Sequence, residues 1–311
     1  MVNTDNLFAF NKVYVIESLK DNDPRSGQDL YNDIIVRTAK RQNDQFSHEL
    51  FVVNTCSELK EKIGLLVQRT ANASEFPMIH FEIHGNKDGF VLGSGELLKW
   101  EELYMLLAQI NLNIGNNLFI TSAVCYGGYL LQIVQLDAPC PFYGIIGSFD
   151  ELTYSEHMES YSEFYQEFLT TCHLTDSLNA FHEANKQKTG KFSFIFTDEV
   201  FMNAYAEYTR LNSNPAFREK RAKEAVLEHV KSHPLPAYLD RVAKRKEIRR
   251  LEKLFLKRLQ AKQDGFYRDT VNSFFMLKYY PENRARFDIP ESYEEMQKKK
   301  LFRTKVIQRL P

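Results

Sequence analysis

His84, followed by Gly85, and Cys125, followed by Tyr126-Gly127-Gly128, stand at the ends of two apolar runs, PMIHFEIHG (77–85) and NLFITSAVC (117–125). Both runs read as strands, and in a parallel α/β sheet the carboxyl ends of the strands form the edge along which sites are built. Neighbouring strands would then bring an imidazole and a thiol together although 40 residues separate them in the chain. The chemistry open to that pair is nucleophilic. A thiolate attacks a carbonyl carbon, while histidine takes the thiol proton and later hands it to the leaving group. An ordinary thiol is mostly protonated at neutral pH, so it needs such a base or a positive dipole. Gly85 and Gly127 let backbone approach a substrate carbonyl where a Cβ would obstruct it. The run YLLQIVQL after Gly128 places Cys125 near a helix N-terminus, whose unpaired N–H groups favour a thiolate and an oxyanion.

The remaining reactive side chains form no rival constellation. Cys56, Cys140 and Cys172 read as small core thiols, without a C-x-x-C or a Cys/His cluster at metal spacing, so neither a structural zinc nor a disulfide framework is expected. The dyad chemistry needs no metal and no cofactor. A phosphatase reading of Cys125 fails because Cys-x5-Arg needs arginine where Leu131 stands, and no Gly-rich phosphate loop with Lys-Ser/Thr occurs. His80, four residues before His84, shares its strand face and reads as a packed histidine or as a support for His84. His157, His173 and His182 have no partner pattern. Asn72-Ala-Ser74 matches a glycosylation site, but with no export signal ahead of it the match reads as chance.

The block HFEIHGNKDGFVLGSGELLKWEEL (80–103) followed by NLFITSAVCYGG (117–128) resembles the catalytic core of the caspase-like cysteine peptidases, most of all the CHAT branch related to separase. The shared pattern is a strand ending in His-Gly, a turn and small hairpin, a helix, and a strand ending in a small residue, a hydrophobic residue and Cys with Gly at +2. YGIIGSFDELTYSEHMESYSEFYQEFL and SLNAFHEAN resemble the later strand and two helices, so the likeness spans roughly residues 10–200. It implies Cys125 as nucleophile, His84 as base, and the backbone N–H groups of Gly85 and Cys125 as oxyanion hole. Ala123-Val124 precede the cysteine where true caspases have Gln-Ala, and the Asp-rich lead-in of metacaspases and legumains is absent, so cleavage after aspartate is not implied. Separase-like relatives carry an acidic side chain after the strand that follows the cysteine, here Ser148-Phe149-Asp150-Glu151. That implies Asp150 as the substrate-binding acid, with Glu151 and Glu156 as alternates, and cleavage after Arg or Lys. The branch further implies a protein or peptide substrate, an activating protein or ligand, and a role as an effector in bacterial defence or regulated cell death.

The elements that must position these residues read as α/β: a caspase-like, mainly parallel sheet flanked by helices, with a C-terminal helical extension. Strands are expected at 13–19, 48–54, 77–85, 117–125, 141–148 and 191–198. Helices are expected at 29–42, with Leu30, Ile34, Ile35 and Ala39 inward, from Ser57 with Glu58 and Glu61 in capping style, at 99–110, and at 155–169, with Tyr161, Phe164, Tyr165 and Phe168 on one face. A boundary falls at Asn214-Pro215, dividing a peptidase-like domain (1–214) from a basic extension (215–311). Residues 1–215 hold 15 Lys+Arg against 28 Asp+Glu, and residues 216–311 hold 25 against 13, although the net charge is only -1. In the extension, a long basic helix at 237–263 shows a narrow apolar stripe of Val242, Ile248, Leu251, Phe255 and Leu259. Its charge admits three readings: a solvated face, a surface docking on acidic partners or on the first half, and a track for nucleic acid. A competing class of function follows, a non-catalytic module of the same fold that binds nucleic acid or protein through these helices. The aromatics of FYRDTVNSFFMLKYYPENRARFDIP suggest packing on the core rather than chemistry. With 43% hydrophobic residues but no apolar run of about 18 residues, the chain is expected to be soluble and cytoplasmic, with no membrane partner.

Overall fold

The computed structural model describes residues 2–4, 8–42, 46–72, 74–186, 191–261 and 263–298; residues 299–311 of the basic extension lie outside them. Strands β1 (Val2–Thr4) and β2 (Phe8–Phe10) form a small antiparallel ribbon. β3 (Lys12–Ser18) leads through α1 (Ser26–Asp29), a π-helical stretch Leu30–Val36 and α2 (Arg37–Arg41) into β4 (Ser47–Val52). α3 (Cys56–Thr70), β5 (Pro77–Asn86), the hairpin strands β6 (Gly89–Val91) and β7 (Leu97–Lys99), α4 (Trp100–Asn113) and β8 (Phe119–Ser122) follow. A 3-10 helix (Gly127–Ile133), β9 (Gly144–Ser148), α5 (Tyr154–Thr171), α6 (Leu174–Lys186) and β10 (Phe192–Phe196) complete the α/β part. The chain ends in helices α7 (Thr197–Ser213), α8 (Pro215–Ser232), α9 (Arg241–Ala261), α10 (Gln263–Phe274), α11 (Asn283–Arg286) and α12 (Tyr293–Lys298).

The main sheet has the order β10-β9-β8-β5-β3-β4. β4, β3, β5, β8 and β9 are parallel, β10 closes the edge antiparallel, and the β6–β7 hairpin prolongs β5. The first parallel strand therefore lies between the second and third, and the winding reverses between β3 and β5. That reversal opens a crevice beyond the strand carboxyl ends. The two-residue period distributes the strands over two cores: Val13, Val15, Met78 and Phe119 pack under α5 and α7, whereas Tyr14, Ile16, Ile79, Phe81 and Ile120 pack under α3 and α4.

Three helices depart from the sequence reading. α3 begins at Cys56, ahead of Ser57, because Thr55 is its N-cap and Thr55-x-x-Glu58 closes a capping box: Thr55 Oγ1 accepts from Glu58 N at 3.2 Å, and the Glu58 carboxylate accepts from Thr55 N at 3.1 Å. The helix expected at 29–42 is π-helical in its middle, and the wider turn buries Leu30, Ile35 and Ala39 while Ile34 stays half-buried. α7 was not expected, yet it buries Phe201, Met202 and Tyr205 at helical spacing.

At the boundary, Asn214 Oδ1 accepts from Ala216 N at 3.0 Å and Pro215 takes the first turn of α8. Beyond it the extension divides. α8 and α9 pack on each other; Ile248, Leu251 and Phe255 are half-buried, and Val242 is exposed. The side chain of Leu259 lies outside the described residues. Residues 263–298 instead return to the α/β core, where Phe274, Phe275, Met276, Phe287 and Ile289 share one cluster with Phe119, Tyr143 and Ile146. Among the described residues no helix is long and apolar enough to cross a membrane.

Candidate active site

β5 is the element that carries the site. Its odd residues Ile79, Phe81 and Ile83 pack under α3 and α4, so Met78, His80, Glu82 and His84 share the opposite face. His84 comes last, at the strand's carboxyl end, and is half-exposed. Cys125 lies three residues past the end of β8, in a turn made by Tyr126 in the left-handed region at φ 61°. The helix expected after Gly128 is 3-10 rather than α. The two adjacent glycines disfavour an α-helix, and Gly128 is pinned under the ring of Phe149, where a Cβ would come within 3.0 Å.

The strand end and the cysteine turn are in contact. A Cβ on Gly85 would lie 2.5 Å from the Cys125 carbonyl oxygen and 2.4 Å from Val124 Cγ1, so this approach admits only glycine. In the β5–β6 hairpin Gly85 stands opposite Phe90, and Asn86 Oδ1 closes the turn by accepting from Asp88 N at 2.8 Å and Gly89 N at 3.1 Å. Tyr126 N donates to Asp150 O and Gly127 N to Val124 O, whereas the Cys125 N–H has no acceptor among the described residues. Leu152 N donates to Cys125 Sγ at 3.3 Å, a donor suited to negative sulfur, and the thiol in turn points at Leu152 O at 3.7 Å.

His84 and Cys125 line one cavity of about 210 Å³, together with residues that follow β3, Glu82 of β5, and Leu152, Tyr154 and His157. It occupies the crevice at the reversal between β3 and β5. Its size suits one amino-acid side chain; sites for larger ligands run from about 300 Å³ upward. Asp23, from the loop after β3, accepts from or pairs with His84 Nε2 at 2.7 Å through Oδ2, which also accepts from Lys20 N at 2.9 Å. That contact holds the Asp23 carboxyl below the usual carboxylate range. With Nε2 so engaged, Nδ1 is the nitrogen left to serve as base.

Beneath His84 runs a buried polar network. Tyr165 OH meets Thr121 Oγ1 at 2.7 Å, Thr121 meets His80 Nδ1 at 2.8 Å, and His80 Nε2 meets Glu82 Oε2 at 3.3 Å. Burial pushes His80 down to about 3, so the ring is neutral, with Nε2–H donating to Glu82 and Nδ1 accepting from Thr121. Ser26 Oγ donates to Glu82 Oε1 at 2.7 Å, and His157 Nε2 stands 3.2 Å from that oxygen without hydrogen-bond geometry. Burial also raises Glu82, to about 7, against the pull of His157 and Ser26. Glu17, beside it in β3, is tied to Gln28 at 2.7 Å and 3.0 Å.

None of the three acids singled out for substrate binding lines this cavity. Asp150 and Glu151 are exposed, and Glu151 accepts from Tyr126 OH at 3.3 Å. Glu156 is consumed in structure: burial raises it, but Thr153 N at 2.7 Å and Lys191 Nζ at 3.1 Å outweigh that and hold it down to about 2. The acids that do border the cavity are Asp23 and Glu82, which the sequence reading missed. Both had a signal: Asp23 lies just after a parallel strand, and Glu82 is a charge inside an apolar strand, in phase with His84. The other cysteines lie apart from the cavity; Cys140 is fully buried, its thiol pushed up to about 12 by burial and donating to Phe142 O at 2.9 Å. Burial raises the Cys56 and Cys172 thiols as well.

Compared with known proteins, the chain matches no family model and no curated sequence.

Proposed function

We propose that the protein is a cysteine endopeptidase of the caspase-like kind, with Cys125 as nucleophile and His84 as base. One observation carries the reading: His84 and Cys125, 41 positions apart, line the same cavity while Gly85 packs against the Cys125 backbone. His84 Nδ1 takes the thiol proton and the sulfur bonds to the scissile carbonyl carbon. The carbonyl oxygen gains the negative charge, and the N–H groups of Gly85 and Cys125 donate hydrogen bonds to it. The C–N bond then breaks, and the amine leaves with the proton from His84. Water, deprotonated by the same imidazole, hydrolyses the thioester and restores the thiol. Asp23 acts as a positioning residue, fixing the ring and its tautomer. Labelling by a peptidyl acyloxymethyl ketone with Arg at P1 tests the dyad: wild type is modified at Cys125, while Cys125→Ala and His84→Ala are not. Equal modification of His84→Ala would refute the assignment.

A second reading, a non-catalytic module that binds nucleic acid, has one observation in its favour. Arg241, Arg245, Arg249, Lys253 and Lys257 recur every four residues along α9, and all are exposed. Such a ridge can track phosphates. It predicts duplex binding that weakens steeply from 50 to 200 mM salt, and salt-insensitive or absent binding removes it.

A further inference from the structure

The floor of the cavity plays no part in the mechanism above, and it is chemically specific. Its mouth holds His84 and Cys125, both partly exposed; its base holds Glu82, 2% exposed. A buried carboxylate is costly unless a cation accompanies it. Among the described residues Glu82 has no Lys or Arg partner: its neighbours are the Ser26 hydroxyl and the His80 and His157 rings, both driven towards neutrality by burial. The hydroxyl donates to Oε1, beside which His157 Nε2 also stands at 3.2 Å, and His80 to Oε2, so that the carboxylate keeps acceptor capacity for a cationic side chain. Asp23 adds a second carboxylate at the rim. The adjoining Arg25 is engaged with Glu17 at 3.9 Å and Asp21 at 3.5 Å and forms no ion pair with Glu82.

We propose that this cavity is the S1 subsite and that Glu82, rather than Asp150, determines its specificity by pairing with an Arg or Lys side chain at P1. The assignment rests on the peptidase reading and names the substrate class for that site. It explains why a carboxylate is kept at the base of a cavity sized for one side chain: the substrate supplies the missing cation. Removal of one partner from a buried charge pair is worth roughly 100-fold in affinity.

The test is a set of fluorogenic peptides that differ only at P1, with Arg, Lys, citrulline, norleucine or Asp, read as ratios of kcat/KM within each protein. Wild type is expected to favour Arg over its neutral isostere citrulline by about 100-fold. Glu82→Gln should collapse that ratio to within a few-fold, while Asp150→Asn preserves it. Retention of the ratio in Glu82→Gln, or its loss in Asp150→Asn, overturns the assignment. Calorimetric binding of benzamidine to Cys125→Ala, with and without Glu82→Gln, needs no catalysis and separates the two claims. Glu82-dependent binding without any dyad-dependent labelling or cleavage means that the pocket stands and the peptidase reading falls. Cleavage with no P1 preference and no benzamidine binding means the reverse.

Discussion

At the residue scale, the site is a set of groups whose partners define their roles. In the proposed peptidase His84 would act as base through Nδ1, because Asp23 occupies its Nε2, at 2.7 Å. Asp23→Asn keeps the shape but not the charge, so kcat should fall about 10²-fold with little change in KM, and labelling of Cys125 should slow in parallel. A fall confined to KM would mean that Asp23 touches substrate instead. Glu82 makes a pH-dependent contribution to stability. Its folded carboxyl sits at about 7 against an ordinary 4.5, so its stabilisation is complete below 4.5 and is lost as pH rises through 7. His80 acts with the opposite sign: held down at about 3 against 6.5, it supports the fold above 6.5 and loses that support as pH falls. Glu82→Gln removes only the first effect. Its thermal midpoint should therefore gain on wild type between pH 5 and pH 8, by about 5 °C or more; a constant difference would mean that Glu82 ionises freely in the fold.

At the element scale, two short features bring the reactive groups together. β5 presents His80, Glu82 and His84 in one column, which the two-residue period makes legible in PMIHFEIHG. The turn after β8 was less legible, because its shape depends on Phe149 of the next strand connection pressing on Gly128. The same dependence appears in the π-helical stretch, where packing against the sheet selects Ile35 over Ile34, and propensity alone does not distinguish the two. The capping box of α3, by contrast, is local and was present in Thr55-Cys56-Ser57-Glu58. Gly85→Ala tests the contact between strand and turn. The added methyl would overlap the Cys125 carbonyl, so the turn must shift, with a loss of about 1–3 kcal/mol in stability. Labelling of Cys125 should fall at least 10²-fold, whereas Gly64→Ala, which meets nothing within 4 Å, should leave labelling at the wild-type rate.

At the scale of the whole molecule, the division at Asn214-Pro215 separates charge more than it separates structure. The last described segment is bonded back to the α/β part: Cys140 N donates to Phe274 O at 3.2 Å, Tyr280 OH to Asn113 O at 3.0 Å, and Arg286 Nη1 to Gly115 O at 3.1 Å. Phe275 is fully buried between Phe201 and Phe287. Phe275→Ala should cost about 3–5 kcal/mol. The single tryptophan, Trp100, lies in α4, so its fluorescence reports unfolding of the α/β part. One denaturant transition, displaced as a unit, is expected; a Trp100 transition unmoved by the substitution would mean that residues 263–298 fold independently.

The sequence by itself determined which segments are strands and that His84 and Cys125 stand near the ends of neighbouring ones, because apolar periodicity is a local property; it did not fix where the strands end, since β8 stops at Ser122 and β10 at Phe196. It also exposed the charge split between the two halves. Only the tertiary structure decided which carboxylates face the dyad. Asp23 reaches His84 because β3 lies beside β5, and Glu82 lies at the base of the cavity because α5 covers that face of the sheet. Asp150, nearer to Cys125 in the chain, is excluded by the course of a single loop. Charge and spacing say which residues can act. Which of them share a cavity depends on strand order and on desolvation, and both arise from contacts between segments far apart in the chain.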